Sequence, residues 1–211
     1  MNVLQPVSCD TAPGVGIVSD CAALDVFCTP GCAAAIWRRQ IPPAVSDWLN
    51  RLPDQTLPQG RVIIPVGAIS KSVDQLCDSA DTPHGPERVW LQQDIVDLAQ
   101  VFTDLMNTRY LRLRLDVIRT NACRKFHVDA IKGRLVCTYR GTGTQFGTSE
   151  NDCDPERVFT VETGAPILLR GTLWPETPRA GLRHRSPPIE GTGETRLVLV
   201  VDPVADPEAG I

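Results

Sequence analysis

At 211 residues the chain can bury a full core, and this length fits one large domain better than two small ones. With 22% charged residues and a formal net charge of -4, nothing favours a nucleic-acid backbone or an anionic membrane as partner, and no segment approaches the roughly 18 apolar residues of a membrane span. The opening MNVLQPVSCDTAPG has neither the basic region nor the apolar core of a signal peptide, so a cytoplasmic location is expected, with most of the eight dispersed cysteines read as small buried hydrophobes.

In chain order, residues 1–20 are expected to form a flexible N-terminal segment ahead of a single domain over 21–211. In "CTPGC" a turn separates Cys28 from Cys32, but no second pair or nearby histidine completes four zinc ligands, so a loop with free thiols is expected. "PAVSDWLNRL" places Ala44, Val45, Trp48, Leu49 and Leu52 at helical spacing behind Pro43, which predicts a short amphipathic helix over 43–52 that Pro53 stops. "RVIIPV" has strand length, and "SVDQLCDSA" predicts a helix starting at Ser72. His84 in "TPHGP" is expected in solvent before a long helix, on which Val89, Gln93, Val96, Ala99, Phe102 and Met106 mark one stripe packed on the back of a sheet.

From residue 110 the period falls to 2: Leu111, Leu113, Leu115 and Val117 alternate with Arg112, Arg114 and Asp116. Strand candidates follow as "KFHVD", "RLVCTYR", "RVFTVE", "PILLRG", "GLRHRS" and "ETRLVLVVD", separated by Gly, Pro, Asn and Asp clusters. The expected class is α+β, mainly β: an antiparallel sandwich or barrel with N-terminal helices packed on it.

An extended "KFHVD" sends His127 and Asp129 to one face, and "LRHRS" presents His184 on a face shared with Leu182 and Ser186. Across a jelly-roll interior, two imidazoles and one carboxylate would occupy one face of an octahedral metal and leave three positions open, the arrangement of nonhaem Fe(II) oxygenases. Arg196, twelve residues beyond His184, adds a rigid fork suited to a carboxylate. The plain alternative makes His184 a surface residue beside Arg183 and Arg185, and Arg196 a solvated edge position. Tyr139 either lines the pocket or is an amphipathic core residue, and Arg114 with Arg112 either holds a substrate anion or lies on the surface. "YRGTGTQFG" lacks the Gly-Lys-Ser/Thr ending of a phosphate loop and reads as a turn at the barrel mouth.

"AIWRRQIPP", "LRLRLDVI", "CRKFHVD", "RLVCTYRGTGTQF" and "HRSPPIEGTGETRLVLVVD" together resemble the bacterial family known as domain of unknown function 1826, over nearly all of the chain beyond the first twenty or so residues. More distantly, His-x-Asp, a distal His and a following Arg are similar to the iron and 2-oxoglutarate dependent oxygenases. That resemblance implies a double-stranded β-helix (jelly roll, cupin-like), Fe(II) on His127, Asp129 and His184, and 2-oxoglutarate gripped by Arg196. The partner serine two places after that arginine is replaced by Val198, so Tyr139, Thr138 or Ser186 would supply the hydroxyl. Tyr139 and Arg114 are the residues expected nearest the substrate, a small molecule or a protein that the sequence does not identify. Two other readings stand beside this one: a cupin-like Zn²⁺ protein without oxygenase activity, concerned with zinc handling, and a metal-free structural or interaction module. The oligomeric state stays open, a homodimer included.

Overall fold

The computed structural model describes residues 12–149, 153–175 and 181–208. Strand β1 (Val15–Val18) lies within the stretch expected to be flexible, and pairs in parallel with β2 (Ala34–Trp37) across a 3-10 helix at Cys21–Cys28. Helix α1 (Pro43–Arg51) has its proline in the first turn, where a missing N–H costs nothing. After β3 (Gly60–Pro65) and a 3-10 turn, α2 (Ile69–Ser79) begins three residues before the expected Ser72. Ile69 and Val73, one turn apart, are buried, and that packing sets the start in place of a side-chain cap.

Helix α3 (Pro86–Met106) ends at Asn107, whose φ of 49° takes the left-handed conformation of a C-terminal cap. Its buried stripe is Leu91, Ile95, Leu98, Ala99, Phe102 and Met106, with Asp94 among them. The expected stripe was therefore partly misplaced: Val89 is 64% exposed and Gln93 is exposed. Apolar residues on two sides of α3 left the period alone unable to choose, and contact with the sheet decides. His84 is exposed, as expected.

The β region comprises β4 (Tyr110–Ile118), β5 (Gly133–Arg140), β6 (Gln145–Thr148), β7 (Phe159–Thr160), β8 (Pro166–Arg170), β9 (Leu182–Arg185) and β10 (Arg196–Val204). A large sheet runs β1-β2-β8-β5-β10-β4-β3, and a small one β7-β6-β9. "KFHVD" is not a regular strand; only His127 bridges to His184, which lays the segment along the free edge of β9. From β4 onward the chain crosses repeatedly between the two sheets, and this winding is the double-stranded β-helix, or jelly roll. Alternation then divides the large sheet into two faces. Leu111, Leu113, Leu115, Leu135, Cys137, Tyr139, Leu197, Leu199 and Val201 pack with the helices, whereas Val136, Val198 and Val200 pack with Phe146 and Leu182 of the small sheet. The roll interior is thus the face of β10 that carries Arg196, Val198, Val200 and Asp202. No helix among the described residues is long and apolar enough to cross a membrane.

Candidate metal centre

His184 shares its parity on β9 with Leu182, stands opposite Phe146 of β6 and is buried inside the roll. His127 and His184 exchange two backbone hydrogen bonds of 3.0 Å, and their rings lie 4.5 Å apart. His127 Nδ1 is 2.9 Å from the Lys125 carbonyl. A carbonyl can only accept, so Nδ1 carries the proton and Nε2 is left with a lone pair facing Asp129.

Asp129 is held without a strand of its own. Its carbonyl accepts from the Thr172 N–H at 2.8 Å, while Leu173 N–H and Gly171 N–H hold the carbonyls of Ile131 and Lys132 at 3.1 Å. Gly171 is required there, since a Cβ would stand 2.0 Å from the Ile131 oxygen and 2.7 Å from that of Asp129. The Asp129 side chain then reaches both imidazoles: Oδ1 is 3.7 Å from His127 Nε2, and Oδ2 is 3.1 Å from His184 Nε2. All three donor atoms fall within 4.8 Å of one another. Neighbouring ligands on an octahedral ion with bonds of about 2.1 Å are about 3 Å apart, so His184 and Asp129 already have that spacing, and His127 would move inward to complete it.

A half-buried guanidinium supports this carboxylate. Arg134 donates from Nη1 to Asp129 Oδ1 at 2.6 Å, and its other edge grips Asp202 through Nε and Nη2 at 2.6 and 2.8 Å. Asp129 Oδ1 is thereby occupied. Oδ2 is buried and accepts no aligned hydrogen bond, despite the nearby His184 nitrogen. Burial would raise the Asp129 pKa, but the two neighbouring imidazoles and the charge of Arg134 hold the carboxyl well below the usual range. Burial pushes His184 down against the pull of Asp129, whereas the nearby Asp129 carboxylate raises His127 despite its partial burial. The outcome near neutrality is an ionised carboxylate beside a neutral, buried imidazole, both in the protonation states that bind metal.

Arg196, 1% exposed, lies on the same interior face. Its Nε donates to the Thr142 carbonyl at 2.6 Å and its Nη2 to Thr138 Oγ1 at 3.3 Å, but Nη1 is buried with no partner. Burial pushes the guanidinium down to about 10, with Glu194 acting against that fall. Glu194 also receives the Thr142 N–H at 2.6 Å and hydroxyl at 3.0 Å. The glycine turn after β5 is therefore packed down: a Cβ on Gly141 would meet Arg196 Cγ at 2.9 Å, and one on Gly143 would sit 1.9 Å from the Val161 oxygen.

Thr138 thus stands beside Arg196 as one of the expected hydroxyls. Ser186 follows His184 with the same parity, half-buried, its N–H bonded to the Cys123 carbonyl at 3.0 Å. Arg114 also faces the interior, opposite Val200. Tyr139 does not: its place near substrate or cosubstrate is corrected by strand parity, which turns it to the helices. There it is 1% exposed and its hydroxyl donates to Asp94 Oδ2 at 2.6 Å. Asp94 is also paired with Arg39, whose Nε donates to the Gly164 carbonyl at 2.8 Å, so Tyr139 belongs to a core network tying α3 to the sheet. Cys28 and Cys32 take no part in the three-residue cluster. Sequence reasoning missed Arg134 and Asp202 as supports of the carboxylate. A signal was there, since Asp202 is the one acid in the apolar run "RLVLVVDPV".

Solved structures show the same fold. The dioxygenase for auxin oxidation 1 from Arabidopsis thaliana, a binary complex with 2-oxoglutarate, aligns with a TM-score of 0.57 at 9% identity, covering 94% of either chain. The dioxygenase for auxin oxidation of rice aligns with a TM-score of 0.55 at 12% identity, covering 94% of this chain and 84% of that one. At these identities the similarity is one of fold. The sequence matches no curated protein. Residues 18–202 match the family described as "Protein of unknown function (DUF1826)", and the chain belongs to that family.

Proposed function

We propose that the protein is an Fe(II) and 2-oxoglutarate dependent oxygenase. His127 Nε2, Asp129 Oδ2 and His184 Nε2 would hold the iron, and Arg196 Nη1 with the Thr138 hydroxyl would receive the distal carboxylate of 2-oxoglutarate. Bound together, iron and cosubstrate supply the activation of dioxygen that substrate oxidation needs. The observation that carries this reading is a pair of unsatisfied buried atoms of opposite kind on one interior: the acceptor Asp129 Oδ2 and the donor Arg196 Nη1. Buried polar atoms are rarely left unpaired, and a cation at one end with a carboxylate at the other would satisfy both. Arg134 occupies Asp129 Oδ1 and so leaves Oδ2 as the oxygen that would hold a metal. The Glu194–Thr142 contacts hold the loop that steadies Arg196. Thr138, in place of the serine usual two residues after the arginine, completes the anion site. A zinc protein without oxygenase activity uses the same three ligands but leaves Arg196 Nη1 without purpose.

Anaerobic titration of the purified protein with Fe(II), followed by 2-oxoglutarate, tests the reading. One iron should bind per chain, and the keto acid should then produce the weak visible absorption of its iron chelate, lost in Arg196→Gln. Iron binding with neither that absorption nor calorimetric heat from 2-oxoglutarate rejects the cosubstrate. Equal iron binding by Asp129→Ala rejects the metal site.

A further inference from the structure

We infer that the substrate of this interior carries an oxyanion, a carboxylate or a phosphate, gripped by Arg112 and Arg114 of β4. This deepens the oxygenase reading by naming a substrate class, and it stands on different residues. Cross-strand partners in an antiparallel pair share a face, so Arg112, opposite Asp202, and Arg114, opposite Val200, both project into the roll. On the other side of β4, Arg114 stands opposite Arg61 and Arg112 opposite Ile63. Arg114 thus has an arginine as its cross-strand partner on that side, the exposed Arg61, and no acid opposite it.

No acid within the described chain answers this charge in full. Asp202, the neighbour of Arg112, has both oxygens taken by Arg134. Asp116 approaches Arg114 only to 4.0 Å and is itself 40% exposed. The Nε atoms of both Arg112 and Arg114 are buried without a hydrogen-bond partner. The Nε–H groups of Arg112 and Arg114, two residues apart on one face, are buried without an acceptor, while the Arg114 side chain keeps 25% of its surface exposed, so the forks offer unpaired donors to a ligand that arrives from outside.

Position gives the charge its meaning. Along β10 the interior residues run Asp202, Val200, Val198, Arg196: Asp202 leads through Arg134 to the metal ligand Asp129, and Arg196 marks the cosubstrate end. Arg112 and Arg114 flank the Asp202 end of this row on the β3 side, so a substrate anchored there lies alongside the metal and apart from Arg196. The planar forks suit two-point recognition of a planar carboxylate or a tetrahedral phosphate.

The test uses metal-free full-length protein labelled with 15N-arginine at low ionic strength, titrated separately with inorganic phosphate and with benzoate. The Nε–Hε resonances of Arg112 and Arg114, assigned by their loss in Arg112→Lys and Arg114→Lys, should shift saturably with at least one anion. Arg114→Gln should weaken that binding at least tenfold with its thermal midpoint held, and the stronger anion names the group. Shifts at Arg196 alone, shifts that grow without saturation, or equal affinity in Arg114→Gln would overturn the inference. Titration with 2-oxoglutarate in the same samples reads Arg196, so failure of the cosubstrate assignment shows separately from failure of the anion site.

Discussion

Replacing Asp202 with asparagine perturbs the metal centre from two side chains away. Asp202 is 2% exposed in its side chain and takes both Nε and Nη2 of Arg134, whose remaining nitrogen holds Asp129. Breaking a buried pair by removing one charge costs about 3–5 kcal/mol. Arg134 retains Asp129 as a second carboxylate, so the lower end, about 3 kcal/mol, applies, and for a chain of this size that lowers the melting midpoint by about 6–12 °C. The charge of Arg134 then falls undivided on Asp129 and draws electron density from the ligand oxygen. Loss of a partner behind a ligand typically weakens metal binding about 10–100-fold, and about tenfold is expected here because the ligand itself remains. Urea denaturation of the metal-free protein reads the first effect and calorimetric titration with Fe(II) or Zn²⁺ the second. A variant within about 0.5 kcal/mol of the parent in stability, with unchanged metal affinity, would refute the idea that the Asp202–Arg134 pair positions Asp129.

Asp129→Ala should abolish metal binding in calorimetry and lower the melting midpoint less than Asp202→Asn does, because Arg134 loses one bond and keeps its two to Asp202. Gly171→Ala should destabilise by about 1–3 kcal/mol through overpacking and weaken metal binding as well, since the new Cβ pushes on the 129–131 backbone; unaltered metal affinity in a folded variant would contradict that. Burial, with the charge of Asp94 next, raises Tyr139 well above its ordinary value. The sign follows: the stability it contributes is fully present below about pH 10 and is lost as pH rises beyond, by about 1.4 kcal/mol per unit. In a Tyr110→Phe background, tyrosinate absorption should therefore appear only with unfolding. Cys77 and Cys137, pushed up by burial to about 11 and about 12, should stay inert to thiol reagents while exposed Cys28 and Cys123 react.

The local patterns were legible without coordinates: the period-2 run from Tyr110, the proline-started α1, the existence of the long α3, and the pairing of His-x-Asp with a distant histidine and a later arginine each follow from residue spacing. Spacing carries that much because side-chain direction along a strand alternates with the chain itself. Three matters belonged to the tertiary structure alone. Tyr139 and Thr138 are neighbours of opposite parity, and only the placement of the helices decides which of them faces the interior. His127 and Asp129 converge without a regular strand, because the edge of β9 and the backbone of residues 171–173, far away in sequence, hold them. Arg134 and Asp202, 68 positions apart, meet only when β5 and β10 pair, and their bond determines which oxygen of Asp129 is left for a metal. A sequence records which donors exist and the period at which they recur; which of them are buried together, and which atoms are left unsatisfied there, depends on contacts between segments that no local period encodes.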